Sequence, residues 1–95
     1  MKIKKQTVTE TEVEIKLPYF LKVPDTGTHV GYINENQCIV VREKSIEYYN
    51  QLMEHYFEDP TNIEVNAEEF TRKFDRVLEG IQSFKSQFFA NNNNQ

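Results

Sequence analysis

The sequence predicts a small α+β domain: a three- to four-stranded antiparallel β-meander followed by two α-helices packed on one face of the sheet. Three observations carry that expectation. Apolar residues alternate with a period of two from Val13 to Val23, they recur at helical spacing from Ile46 onward, and turn-forming residues punctuate the first half. At 95 residues the chain has room for one domain with one core. Leu, Ile, Val and Phe supply 26 of those residues, well above the ~20% level below which chains stay disordered. The domain is expected over residues 1–90, with 91–95 as a disordered polar tail.

The first strand is expected over residues 6–17. Thr7, Thr9 and Thr11 alternate with Val8, Glu10 and Glu12, and Val13, Ile15 and Leu17 extend the apolar face. Pro18 has no N–H to give a ladder, so the strand bends or breaks there and resumes over 19–23. Pro24-Asp25-Thr26-Gly27 is a turn by residue chemistry: proline presets φ and glycine supplies a positive φ. Strands over 28–33 and 37–42 follow, joined by the short turn Asn34-Glu35-Asn36.

A helix is expected over 46–58. Ser45 can cap it, Ile46, Tyr49, Leu52/Met53 and Tyr56/Phe57 repeat at helical spacing, and Asp59-Pro60 ends it. The second helix, over 67–89, has a stronger start. Asn66 with Glu69 reads as a capping box, and Val65 with Phe70 as a hydrophobic staple. Phe70, Phe74, Val77, Leu78, Ile81, Phe84, Phe88 and Phe89 form its apolar face, and Arg72, Lys73, Asp75, Arg76, Glu79, Gln82 and Lys85 its polar one.

Charge and cysteine usage exclude several functions. Cys38 is the lone cysteine, so neither an internal disulfide nor a thiolate metal cage can form. No apolar run matches a signal peptide or a membrane span, and the expected compartment is the cytoplasm. The net charge of −4 is uneven: residues 1–45 carry seven Lys/Arg against six acids, and residues 46–95 carry four against nine. A general nucleic-acid binder shows a basic stripe instead. Lys2, Lys4, Lys16, Phe20 and Lys22 have the residue mix of a weak single-strand platform on the sheet, but Glu10, Glu12 and Glu14 interrupt it.

Catalytic and metal sites find little support, and neither enzyme activity nor a cofactor is expected. His55, Glu58 and Asp59 can share a helix face, which makes His55 and Asp59 weak metal candidates, yet a surface histidine explains them as well. Cys38 lies in the most apolar strand, where a thiol packs as a small hydrophobe, and a Cys38–His29 dyad needs a register that the turn does not favour.

Protein contact has the most support. Twelve Phe and Tyr residues include the adjacent pairs Tyr48–Tyr49, Tyr56–Phe57 and Phe88–Phe89, whose members point about 100° apart on a helix. The expected interface is Leu78, Ile81, Phe84, Phe88 and Phe89 with Tyr48 and Tyr49, joining two copies in a homodimer or larger assembly. The alternative is an acidic inhibitor that fills the basic groove of a nucleic-acid-processing enzyme through Glu47, Glu54, Glu58, Asp59, Glu64, Glu68 and Glu69. The small Asn- and Lys-rich composition suits an accessory protein of a phage or mobile element.

Overall fold

The computed structural model describes residues 1–6 and 10–93. Seven strands and two helices follow in the order β1 (Lys2–Gln6), β2 (Glu10–Glu14), β3 (Tyr19–Val23), β4 (Thr28–Asn34), β5 (Gln37–Val41), β6 (Ile46–Tyr49), α1 (His55–Glu58), β7 (Ile63–Val65) and α2 (Ala67–Asn93). The five strands β6-β5-β4-β3-β7 form one antiparallel sheet, and β1-β2 form a separate two-stranded hairpin. The fold is therefore α+β, with more strands than the sequence predicts. No helix among the described residues is long and apolar enough to cross a membrane.

Period-two alternation gives the sheet two different faces. One face presents Tyr19, Leu21, Val30, Tyr32, Cys38 and Val40. The hairpin covers it with Ile3 and Ile15, and α1 with Phe57. At its centre the Tyr32 ring meets Phe57 at 5.3 Å, and its hydroxyl donates to the Met53 carbonyl at 2.7 Å. Burial pushes that phenol well above the ordinary tyrosine range, because the phenolate would lose its water. The other face presents Val41 and Ile39 to α2, which covers them with Phe70, Phe74, Val77 and Ile81. Phe20 of β3 stacks on Phe70 at 4.7 Å. The result is three layers, with the sheet in the middle.

Three expectations need correction. The first strand over 6–17 is a hairpin: Ile3 pairs with Val13, and Ile15 N–H donates to the Met1 carbonyl at 2.7 Å. A single apolar residue, Ile3, made the segment before residue 6 look featureless, yet that residue is fully buried. Thr7, Val8 and Thr9, also assigned to that strand, lie outside the described residues.

The helix expected over 46–58 is strand β6, a loop and the single turn α1. Ile46-Glu47-Tyr48-Tyr49 satisfies both periods, but β-branched and aromatic side chains favour the strand, and the β5 edge offers a full ladder of backbone partners. Arg42 N–H donates to the Ser45 carbonyl at 2.9 Å and closes the connection. As a consequence the two helices do not share a face: α1 packs with the hairpin and α2 lies on the opposite side.

The second helix starts where predicted, with the Asn66 Oδ1 accepting from Glu69 N–H at 2.8 Å. The capping box is only half made, because the Glu69 carboxylate turns to His29 instead. Helix α2 also runs on to Asn93, past the expected end at 89 and into the tail. Residues 94–95 lie outside the described residues. Lys73, assigned to the polar face, is buried.

Candidate functional site

Helix α2 is long for so small a domain: 27 residues span about 40 Å. Its apolar positions Phe70, Phe74, Val77, Ile81, Phe84 and Phe88 alternate in steps of four and three, the spacing of a coiled-coil seam. The first four of these pack on the sheet. Beyond Ile81 every described side chain through Phe89 is exposed, and Phe84, Phe88 and Phe89 are 71%, 54% and 50% accessible. The same stripe thus changes from core to surface along one helix. Leu78 and Ile81, at the changeover, are half-buried.

Local contacts leave the outer phenyl rings largely open to solvent. Phe88 and Phe89 meet edge to face at 5.7 Å, and the Lys85 ammonium sits 5.8 Å from the Phe89 ring. Beside Phe84 lies a groove of 590 Å³ lined by Glu43, Lys44, Arg76, Val77, Gly80 and Ile81. Gly80 lines it, and a Cβ there would meet nothing within 4 Å.

The remaining residues of the expected interface stand apart from this stripe. Tyr48 is on edge strand β6, opposite Ile39 on the α2 side of the sheet, and is 55% exposed. Tyr49 points to the other face, and its hydroxyl donates to the Glu47 carboxylate. Arg42 Nε donates to the same carboxylate at 2.6 Å. These two bonds, the tyrosine's first, hold the Glu47 carboxyl below the usual range.

No family model, curated protein or solved structure matches this chain. The reading of its surface therefore rests on geometry alone.

The acids proposed as an inhibitory face are scattered. Glu47 is on β6 and Glu64 on β7, the opposite edges of the five-stranded sheet. Glu54 and Glu58 belong to the α1 side, and Glu68 and Glu69 to the first turn of α2 on the other. Asp59 lies just past α1, where its carboxylate accepts from Thr61 N–H at 2.9 Å and Oγ1–H at 2.7 Å. His55 opens α1 rather than closing a longer helix, and its ring lies 4.0 Å from that of Tyr56. Among the described residues no group of three His, Cys, Asp or Glu side chains is placed to hold a metal ion.

The other candidates separate as well. In the β4–β5 register Cys38 pairs with Tyr32 and His29 with Val41, so the two point to opposite faces. The Cys38 thiol is fully buried, donates to the Gln51 carbonyl at 3.5 Å and is pushed upward in pKa by desolvation. Lys2 is on the hairpin, where it pairs with Glu12 at 3.6 Å, whereas Phe20 lies beneath Phe70. The five residues suggested for single-strand binding do not form one platform.

Proposed function

We propose that this protein is a non-enzymatic interaction module that self-associates through the outer half of α2. The observation that carries the reading is the uninterrupted stripe: Phe84 and Phe88 continue the seam that Phe70, Phe74, Val77 and Ile81 bury, but they have no sheet beneath them. A second copy supplies the missing surface. In an isologous antiparallel pair crossing at Phe84, the Phe88 ring of each protomer falls opposite Gly80 of the other. The groove beside Phe84 then receives it.

The area suits such a pair. Three phenyl groups of 150–250 Å² each, about half to two-thirds exposed, remove on the order of 700 Å² of apolar surface when two copies meet. With a polar rim the interface reaches the low end of specific ones, about 1,200 Å². At ~25 cal/mol per Å² the gross gain is about 17 kcal/mol, set against roughly 4–15 kcal/mol of lost freedom. The difference, roughly 2–13 kcal/mol, includes the about 8 kcal/mol of a micromolar dimer.

Light scattering across a concentration series tests this. The mass doubles between low and high micromolar protein and stays doubled at high salt, because the contact is apolar. The double variant F84S/F88S remains a monomer with an unchanged circular dichroism spectrum in its sheet region. A wild-type chain that stays monomeric at high micromolar concentration refutes the proposal.

A further inference from the structure

The sheet-bound half of α2 builds a second feature. Residues 69, 72, 73 and 76 fall on one helix face, and Lys22 and His29 are cross-strand neighbours on the β-sheet beneath. Together Glu69, Arg72, Lys73, Arg76, Lys22 and His29 line a cleft of 380 Å³. Four cations there face one carboxylate, a formal balance of +3 in a chain whose total is −4. Its one acid is already engaged: Glu69 Oε2 lies 3.0 Å from His29 Nε2, while His29 Nδ1 lies 2.9 Å from the Gly27 carbonyl.

Lys73 is the decisive residue. The residue as a whole is 7% exposed, but its ammonium reaches the cleft surface and has no hydrogen-bond or ion-pair partner among the described residues. Its ammonium approaches the β3–β4 turn, 4.0 Å from where a Cβ would stand on Gly27. The apolar stem packs against the sheet while the ammonium stays at the cleft surface, which leaves that charge placed to meet an anion from solvent. Around it, Lys22 and Arg76 are likewise unpaired among the described residues, and Arg72 has only an exposed i,i+4 contact with Glu68 at 3.2 Å. Two guanidinium forks and two ammonium groups, arriving from both a strand and a helix, match the several oxygens of a tetrahedral dianion.

We infer that this cleft binds a small phosphate-bearing ligand, with Lys73 as the central anchor and Lys22, Arg72 and Arg76 closing on the oxygens. Its volume is at the lower end for ligand sites and accommodates a phosphoryl group with a short attached moiety. An extended polyanion is disfavoured, because Glu68, Asp75 and Glu79 lie on the same helix and repel a continuing backbone. The site lies on the sheet-bound half of α2 and does not depend on self-association.

Amide NMR spectra of the full chain, titrated with inorganic phosphate at ionic strength matched with chloride, provide the test. The expected result is a saturable shift confined to Gly27, Thr28, His29 and the first turns of α2. Lys73→Met keeps the packed apolar stem and removes the charge, so it folds, and it weakens phosphate by roughly tenfold or more, as loss of a charge-assisted hydrogen bond implies. Arg76→Gln keeps the anchor and weakens phosphate less. The variant F84S/F88S binds phosphate as the parent does, which keeps this result separate from that of the dimer. Flotation with phosphatidylcholine vesicles, with and without phosphatidic acid, distinguishes the source. Capture by phosphatidic acid alone assigns the same chemistry to a lipid headgroup, and phosphate shifts without capture assign it to a soluble ligand. Shifts that chloride reproduces, or that survive in Lys73→Met, overturn the inference.

Discussion

Substituting Gly31 by alanine tests how α2 is seated, and both candidate sites depend on that seat. Gly31 is on β4 under the helix, and an added Cβ would stand 2.8 Å from Phe70 Cζ, 3.1 Å from Cε2 and 3.2 Å from Phe20 Cδ1. A ring tip ordinarily swings aside, but Phe70 is stacked on Phe20 at 4.7 Å and lies 6.4 Å from Phe74, so its movement disturbs both. Overpacking of this kind costs about 1–3 kcal/mol. Alanine recovers roughly 0.4–1 kcal/mol by restricting the unfolded chain, since Gly31 has no positive φ to defend. At their midpoints these leave a net loss of about 1.3 kcal/mol, with a fall in melting temperature of about 4–8 °C per kcal/mol for a chain this size. Urea unfolding followed by circular dichroism, at one fixed protein concentration because the proposed dimerisation would couple to stability, measures it. Shortening the ring opens the space, so G31A/F70L loses less than the two single variants added together, by at least ~0.5 kcal/mol. If G31A alone unfolds within ~0.5 kcal/mol of the parent, the close approach of α2 to β4 is wrong.

Two further outcomes are expected. Gly80→Ala meets no neighbour within 4 Å and replaces the poorest helix former after proline, so in the F84S/F88S background, which removes the proposed pairing over Gly80, it stabilises the fold by about 1 kcal/mol in urea unfolding; a loss of stability there contradicts the open space at Gly80. The Asp59 carboxyl is held low chiefly by the Thr61 hydroxyl, then by the Thr61 amide. A carboxylate depressed in the folded state adds stability above its unfolded value near pH ~3.9, and that stability disappears as pH falls through the folded value. Carbon-detected titration should show Asp59 below the reference carboxylates, and Thr61→Val should move it part of the way back.

The fold class was legible because period and turn chemistry agree from Tyr19 to Val41. Gly27 takes the positive φ of 72° that its turn requires, and Asn34 closes the next turn by accepting from Asn36 N–H at 2.8 Å. Ambiguity began where one stretch fits two periods. Ile46 and Tyr49 are three residues apart, as a helix needs, but the strand alternative gains a backbone partner on β5 for every residue. Edge availability is a tertiary fact, and no local pattern reveals it. The exposed stripe was anticipated from adjacent aromatic pairs, although only Phe88–Phe89 proved to be on a helix projecting past the sheet. The cation cleft was missed for a different reason. Lys73 is three residues after Phe70 and four before Val77, so helical spacing alone places it at the margin of the buried stripe.

The same spacing argument bears on why α2 is so long. Past Ile81 the helix continues for about 12 residues, roughly 18 Å, with no core to support it. Isolated helices of 12–15 residues are marginal in water even in alanine-rich sequences, and this segment holds three phenylalanines and an asparagine run instead. Propensity therefore does not account for a helical extension that displays apolar rings. Packing against another surface does, since amphipathic burial is the usual source of helical stability in proteins. Under the proposed self-association, winding of the outer half and occupation of its stripe form a single equilibrium, in which each copy supplies the face that the other lacks.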